Sequence, residues 1–178
     1  ARDLAVEVRA LTLANLGIAE LWSGAGDAAG EHLEQAAGLA LESGNDFLLF
    51  LAEGYAAAVD AQTGRLQAAA ARAEMSIALA ERCGWTGVPH AAVPYLARAA
   101  VHLWRGELDE AQRLTDRATA AVAGSSDPML GAAVSLMRAE LLWLDGDPLT
   151  ALDLVRGATA HEPSSRLLRA AAGLLEAD

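Results

Sequence analysis

The chain has 178 residues, 53% hydrophobic but only 4% aromatic, which suffices for one domain with a buried core. Its formal net charge is −11, and all 13 basic residues are arginines. Because an acidic surface repels phosphate, we expect neither direct nucleic-acid binding nor association with an anionic membrane. The lone Cys83 rules out an intramolecular disulfide framework and is typical of a reducing cytoplasm.

The predicted fold class is all-α, because alanine dominates and no segment shows the period-two alternation of a β-strand. Turn-forming clusters such as "SGAGD", "DGDP" and "HEPSS" separate the helical stretches. The sequence predicts helices at 4–22, 27–43, 46–62, 65–83, 90–105, 108–123, 128–144, 148–160 and 164–176. Pro94 lies inside the fifth of these and should kink that helix or delay its start.

Neither a signal peptide nor an uncharged apolar run of the roughly 18 residues that span a bilayer is visible. The chain opens without methionine, in helical sequence, and closes in another helical stretch. We therefore expect a cytoplasmic fragment of a longer protein.

An internal repeat is marked by four glycines, Gly24, Gly64, Gly106 and Gly146, which stand 40, 42 and 40 residues apart. Three further offsets from each glycine, seven before, five after and twelve after, hold only small residues. These are Gly17, Ala57, Ala99 and Ala139, then Ala29, Ala69, Ala111 and Ala151, then Ala36, Ser76, Ala118 and Ala158. We interpret each unit as helix A, a glycine turn and helix B, crossing closely at the small residues.

The stretch "RGELDEA" at 105–111 places an arginine beside acidic residues and could be mistaken for an active site. In the repeat it is the turn and the first turn of helix B. Glu107 and Asp109 then complement the helix dipole, as do Asp27 and Asp147 in their units.

Small residues separated by 12 and then 7 positions, with a glycine between the first two, resemble the tetratricopeptide repeat. The first unit keeps "NLG" at 15–17, and Pro163 follows the last small residue by five positions. The period of 40–42 is longer than the 34 usual in that family, and its large helix A aromatics are mostly missing. Phrases such as "GELDEAQRL" and "RAELLWLDGDPLTAL" are similar to the superhelical domain of MalT-like regulators, large ATP-binding proteins of the LuxR type.

The resemblance implies a single domain, 1–178, folded as an α-solenoid with a right-handed superhelix. Its units would be about 4–43, 46–83, 90–123 and 128–160, with part of a further unit at 164–178. It also implies a sensor placed between a nucleotide-binding switch and a DNA-binding helix-turn-helix. Its partners would be a small-molecule inducer, a protein or a second copy of the chain. A general tetratricopeptide scaffold for protein–protein interaction is the alternative.

In this family helix A lines a concave groove, and the resemblance implies that eight residues line that groove in this chain. The candidate groove residues are Ile18, Trp22, Leu96, Ala100, Trp104, Leu136, Glu140 and Trp143. The tryptophans could serve as stacking platforms there, or they could pack in the core or between repeats. Trp104 lies opposite a polar stripe on its helix, which favours its burial.

Trp85, in the longest predicted loop, is a candidate rim residue, and Arg98 with His102, four apart, could contact an anion or simply be solvated. The lack of lysine excludes a P-loop, and no His, Cys or carboxylate spacing indicates a metal site or a nucleophile–base pair. We therefore predict no catalytic, metal or cofactor site, and no enzyme.

Overall fold

The computed structural model describes residues 2–161 and shows, within that range, an all-α chain of eight helices and one short 3₁₀ turn. The helices are α1 (Arg2–Ser23), α2 (Gly26–Ser43), α3 (Asp46–Gln62), α4 (Leu66–Cys83), α5 (Ala92–Trp104), α6 (Leu108–Val122), α7 (Pro128–Leu144) and α8 (Pro148–His161), with the turn at Pro89–Ala91. Every boundary predicted for the first eight helices agrees to within two residues. The predicted helix 164–176, the further unit and Pro163 lie outside the described residues.

The helix ends follow from local chemistry. Asn45 caps α3 by accepting from the Leu48 amide at 3.1 Å, and Asp127 caps α7 by accepting from the Met129 amide at 2.9 Å. Asp147 accepts from the Thr150 amide at 3.2 Å. Seven glycines with positive φ follow the ends of α1 to α7: Gly24, Gly44, Gly64, Gly84, Gly106, Gly124 and Gly146. The four predicted turn glycines are therefore four of seven in a finer pattern, with one glycine after each helix from α1 to α7.

Helices adjacent in sequence pack against each other, and the pairs α1/α2, α3/α4, α5/α6 and α7/α8 share extensive interfaces. Contacts of α3 with α1 and α5, and of α5 with α7, link one pair to the next. This sequential packing is consistent with a helical repeat. Within the described range, no helix is long and apolar enough to cross a membrane.

All twelve small repeat residues are buried. The reason is clearest at Gly17, where an added Cβ would lie 2.7 Å from Leu33 Cγ and 3.1 Å from the Ala29 carbonyl oxygen. Ala29 is the next small residue of the same unit, so α1 and α2 cross where these two residues meet. The prediction that small residues mark close helix crossings is confirmed at Gly17, and the burial of the other eleven is consistent with it.

Pro94 delays the start of its helix, as expected. A 3₁₀ turn replaces the predicted first residues, and α5 begins at Ala92, so Pro94 occupies the first helical turn, where no intrahelical partner for its missing N–H is needed. The ring also fills space beside α3. A Cβ added to Gly54 would lie 3.2 Å from Pro94 Cδ and 2.9 Å from Ser76 Oγ, so α3, α4 and α5 meet there.

We predict that Gly17→Ala destabilises the chain by about 1–3 kcal/mol, because the new methyl group overlaps Leu33 and the α2 backbone. The matched control is Gly38→Ala on α2, an exposed helical site where a Cβ meets no atom within 4 Å. That control should stabilise by roughly 0.5–1 kcal/mol through helix propensity. Urea denaturation followed by circular dichroism measures both, and equal effects would contradict the close crossing.

Candidate functional site

Trp22 and Trp143 pack between helices. Trp22 is half-buried and sets the edge of its ring against Tyr55 of α3, with ring centroids 6.4 Å apart. Trp143 is half-buried against the apolar cluster that α7 and α8 share, which includes Ala151 and Val155. Both tryptophans therefore agree with the interpretation that they pack in the core or between repeats, and not with that of a free stacking platform in a groove.

Trp104 is 73% exposed, so the prediction that it is buried, which rests on its position opposite the polar stripe, is wrong. Burial of Trp104 would require neighbouring helices to cover the face opposite the polar stripe along the whole of α5. Trp104 is the last residue of α5, and neighbouring helices do not cover that face at the final turn. Trp22 occupies the same repeat position, but Tyr55 packs against it.

Trp85 belongs to an aromatic cluster. Its ring centroid lies 5.2 Å from that of Phe47 and 5.8 Å from that of Phe50, which is fully buried. Its backbone N–H donates to the Ala80 carbonyl at 2.7 Å, which fixes the chain just after α4. The ring therefore anchors the long loop to α3.

The other candidate groove residues are not gathered into one cavity. Leu96 and Leu136 are buried in different apolar clusters, whereas Ile18 and Ala100 are half-buried beside the core. Glu140 is half-buried on α7, and burial raises the pKa of its carboxyl group. None of the eight residues lines the cavity between the start of α7 and the end of α8 or the cavity between α2 and α4.

One of these cavities is a charged groove between α2 and α4, with α3 as its floor. Its volume is about 570 Å³. Four carboxylates, two guanidinium groups and three small residues line it, namely Asp27, Glu31, Glu34 and Asp60, Arg65 and Arg72, and Gly30, Ala56 and Ala68. We call this set the α2–α4 groove. Its charged residues sum to a formal −2.

Arg72 is the centre of the ion pairs in the α2–α4 groove. Its guanidinium lies 2.9 Å from the Glu53 carboxylate, 3.2 Å from that of Asp60 and 3.8 Å from that of Glu34. Arg65 contacts the other oxygen of Asp60 at 2.7 Å. Burial acts against the positive charge, but Glu53 and then the other two carboxylates raise the pKa of Arg72 above its usual value.

Glu53 and Asp60 are only 6% and 7% exposed, although they belong to an otherwise apolar helix. A buried carboxylate is costly unless it is paired, and Arg72 supplies the partner for both. Sequence analysis missed all three residues. The signal was present, because two acidic residues seven apart in "AEGYAAAVDA" lie on one face of a buried helix and require a cation nearby.

The same repeat position is charged differently in successive units. Four residues before the turn glycine, unit 1 has Glu20, which contacts His32 at 2.6 Å, and unit 2 has Asp60, which contacts Arg65 and Arg72. Unit 3 has His102, paired with Glu107, which reverses the polarity of the Asp60–Arg65 pair. Local side-chain exchange therefore alters the surface without altering the helix pair that carries it.

Arg98 and His102 do lie on one polar surface, but each already has an acidic partner. Arg98 contacts Glu74 of α4 at 3.5 Å, and His102 contacts Glu107. A hydrogen bond from Arg113 lowers the pKa of Glu110, and the charges of His102 and Arg98 add to that effect. The predicted anion contact would have to compete with these carboxylates.

His90 joins the long loop to α3 at a second point. Its Nδ1 lies 2.8 Å from the Tyr55 hydroxyl, and burial lowers the pKa of the imidazole. A neutral His90 can share one proton with Tyr55. The contact supports the loop beside the Trp85 cluster.

Within residues 2–161, no group of three His, Cys, Asp or Glu side chains is arranged to hold a metal ion. No protein-family model and no curated protein matches the chain. Function is therefore inferred from the repeat and from the surfaces of the described residues.

We predict that Trp104→Ala changes the free energy of unfolding by less than about 0.5 kcal/mol, because the side chain is largely exposed. Phe50→Ala, which removes a fully buried ring, should cost about 3–5 kcal/mol. Thermal and urea denaturation of both variants test the contrast. A large loss of stability for Trp104→Ala would place that ring in the core.

We predict that Glu140→Gln stabilises the chain at neutral pH. Because burial raises the folded-state pKa above the ordinary 4.5, the native protein loses stability as pH rises from that value through the folded-state pKa. The variant lacks this loss, so the two proteins should be equally stable well below pH 4.5 and diverge above it. Denaturation at a series of pH values tests this, with the same exchange at exposed Glu31 as control.

Proposed function

We propose that this chain is a tetratricopeptide-like α-solenoid with a right-handed superhelix, and that it works as the non-catalytic sensor domain of a MalT-like, LuxR-type transcriptional regulator in the cytoplasm. The observation that carries the proposal is the burial of all twelve small repeat residues in a chain whose helices pack in sequential pairs. The trio spacing of 12 and 7 that resembles the tetratricopeptide family therefore has a packing role in this chain.

The sensor would bind a small inducer or a protein and shift the regulator between inactive and active states. Such a shift requires different affinities for the two states, and stacked helix pairs could supply them through small changes in their relative tilt. The α2–α4 groove is one described surface with the volume and the polar groups to hold a ligand.

A general scaffold for protein–protein interaction is the second candidate, and one observation favours it. The helix ends of units 3 and 4 present exposed apolar side chains, with Leu144 55% and Leu149 77% exposed beside the turn that follows α7. Trp104 and Leu144 occupy the same repeat position, two before the turn glycine. Exposed apolar residues of this size are typical of surfaces that bind a protein, including a second copy of the chain.

Determining the reading frame that encodes this chain, on both sides of it, separates the two proposals. A regulator predicts G-x-x-x-x-G-K-[ST] after a strand upstream and a helix-turn-helix downstream. If both are found, a thermal-shift screen of small metabolites against the 178-residue chain should identify an inducer. If both are missing from the complete frame, the regulator proposal fails and the scaffold proposal replaces it.

A further inference from the structure

One side of α1 is uncharged and largely apolar, and the helices of residues 2–161 leave it exposed. Leu4, Val8 and Leu11 are 65%, 56% and 46% exposed, and their spacing of four and then three residues places them on one side of the helix. We call this side the outer face of α1, and it comprises Leu4, Val8, Leu11, Thr12, Asn15, Leu16 and Ala19. A helix face that ends a stack of repeats in water is normally polar, so this face is unlike that of a terminal unit.

The later repeats show what normally covers such a face. The positions of Val8 and Ala19 recur on helix A of each later unit, that is, on α3, α5 and α7. They are filled by Leu48, His90 and Leu130, and by Val59, Val101 and Leu141. His90 is half-buried and the other five are buried, so these positions belong to an interface in units 2 to 4.

Two contacts identify the preceding helix pair as the cover. A Cβ added to Gly30 of α2 would lie 3.6 Å from Val59 Cγ1 of α3. Val101 of α5 belongs to the apolar cluster that also contains Ala69 of α4. In both units, therefore, the position of Ala19 faces helix B of the pair before it.

The position of Thr12 faces helix A of the preceding pair. Its counterpart on α5 is Pro94, whose Cδ would lie 3.2 Å from a Cβ added to Gly54 of α3. On α1 the Thr12 hydroxyl donates to the Val8 carbonyl at 2.8 Å, so this hydroxyl can be buried without losing its hydrogen bond. The outer face of α1 thus repeats the positions that contact both helices of a preceding pair in the later units.

We propose that the outer face of α1 is a docking surface for one further antiparallel helix pair of the same repeat, supplied by the polypeptide that precedes Ala1 in the parent protein. The period of the repeat sets the length of that pair at about 40 residues. Its side chains opposite Val8 and Leu11 would be apolar or small, and a hydrogen-bonding group would lie opposite the Asn15 amide. The inference concerns how the repeat continues, and it holds for a regulator and for a scaffold alike.

Charge favours this occupant over a second copy of the chain. Each copy has a formal net charge of −11, so two copies brought together repel each other. A helix pair in the same polypeptide is held near the face by a short connection, which gives it a high effective concentration there. The linked pair therefore docks at a lower cost than a separate chain.

Hydrogen exchange tests the docking directly. The 178-residue chain is compared with the same chain extended by the roughly 40 residues encoded immediately before Ala1. We expect the amides from Val8 to Ala19 to exchange at least about tenfold more slowly in the extended chain, because a covered helix opens less readily than an exposed one. Unchanged exchange in α1, or a reading frame that starts at Ala1, would overturn the proposal.

Val8→Asp shows whether the outer face is the surface that becomes covered. In the 178-residue chain the new carboxylate is exposed and should change the urea midpoint little. In the extended chain it would be buried without a cation, so the slower exchange of α1 should be lost. Leu149→Asp, at an exposed apolar position on α8, is the matched control and should leave the slower exchange unchanged. If Val8→Asp also leaves it unchanged, the outer face is not the docking surface.

Sedimentation of the extended chain distinguishes the two occupants. We expect a monomer, because a helix pair of the same polypeptide covers the outer face of α1. A dimer that Val8→Asp dissociates would assign the face to a second copy and overturn the proposal. The P-loop and the helix-turn-helix do not enter these measurements, so a failure here would leave the proposed function to its own test.

Discussion

The close approach of paired helices is the constraint on which the rest of this structure depends. Where α1 crosses α2, Gly17 faces the Ala29 carbonyl with no room for a methyl group. Similar small residues are buried in every unit, beside larger buried side chains such as Leu21, Leu33 and Leu114. A methyl group added at Gly17 must therefore displace the Leu33 side chain, and the nearby Ala29 carbonyl leaves the α2 backbone little room to yield.

Aromatic side chains add contacts around α3 to those of the buried aliphatic residues. Trp22 and Tyr55 join the first pair to the second, while Phe47, Phe50 and Trp85 fasten the long loop after α4. Arg72 plays a comparable role by electrostatic means, since it compensates two carboxylates buried on α3. The most buried helix therefore carries the charges that shape the neighbouring groove.

The same architecture explains how a uniform scaffold can present different surfaces. One repeat position carries a carboxylate in units 1 and 2 and an imidazole in unit 3, and its partner changes with it. At another position, Ala56 of α3 corresponds to Arg98 of α5, whose guanidinium contacts Glu74 at 3.5 Å. Recognition can thus vary from unit to unit while the helix crossings stay fixed, which suits a binding role for a protein of stacked repeats.

The sequence by itself determined the helices, their ends and the crossings, because these depend on local propensity, on turn glycines and on a spacing that repeats along the chain. It did not determine the site. Whether Trp104 is covered, and whether Glu53, Asp60 and Arg72 meet, depends on which helices lie alongside, and these contacts join residues far apart in the chain. Only the tertiary structure decided them, because exposure and ion pairing are properties of neighbours that helical periodicity does not specify.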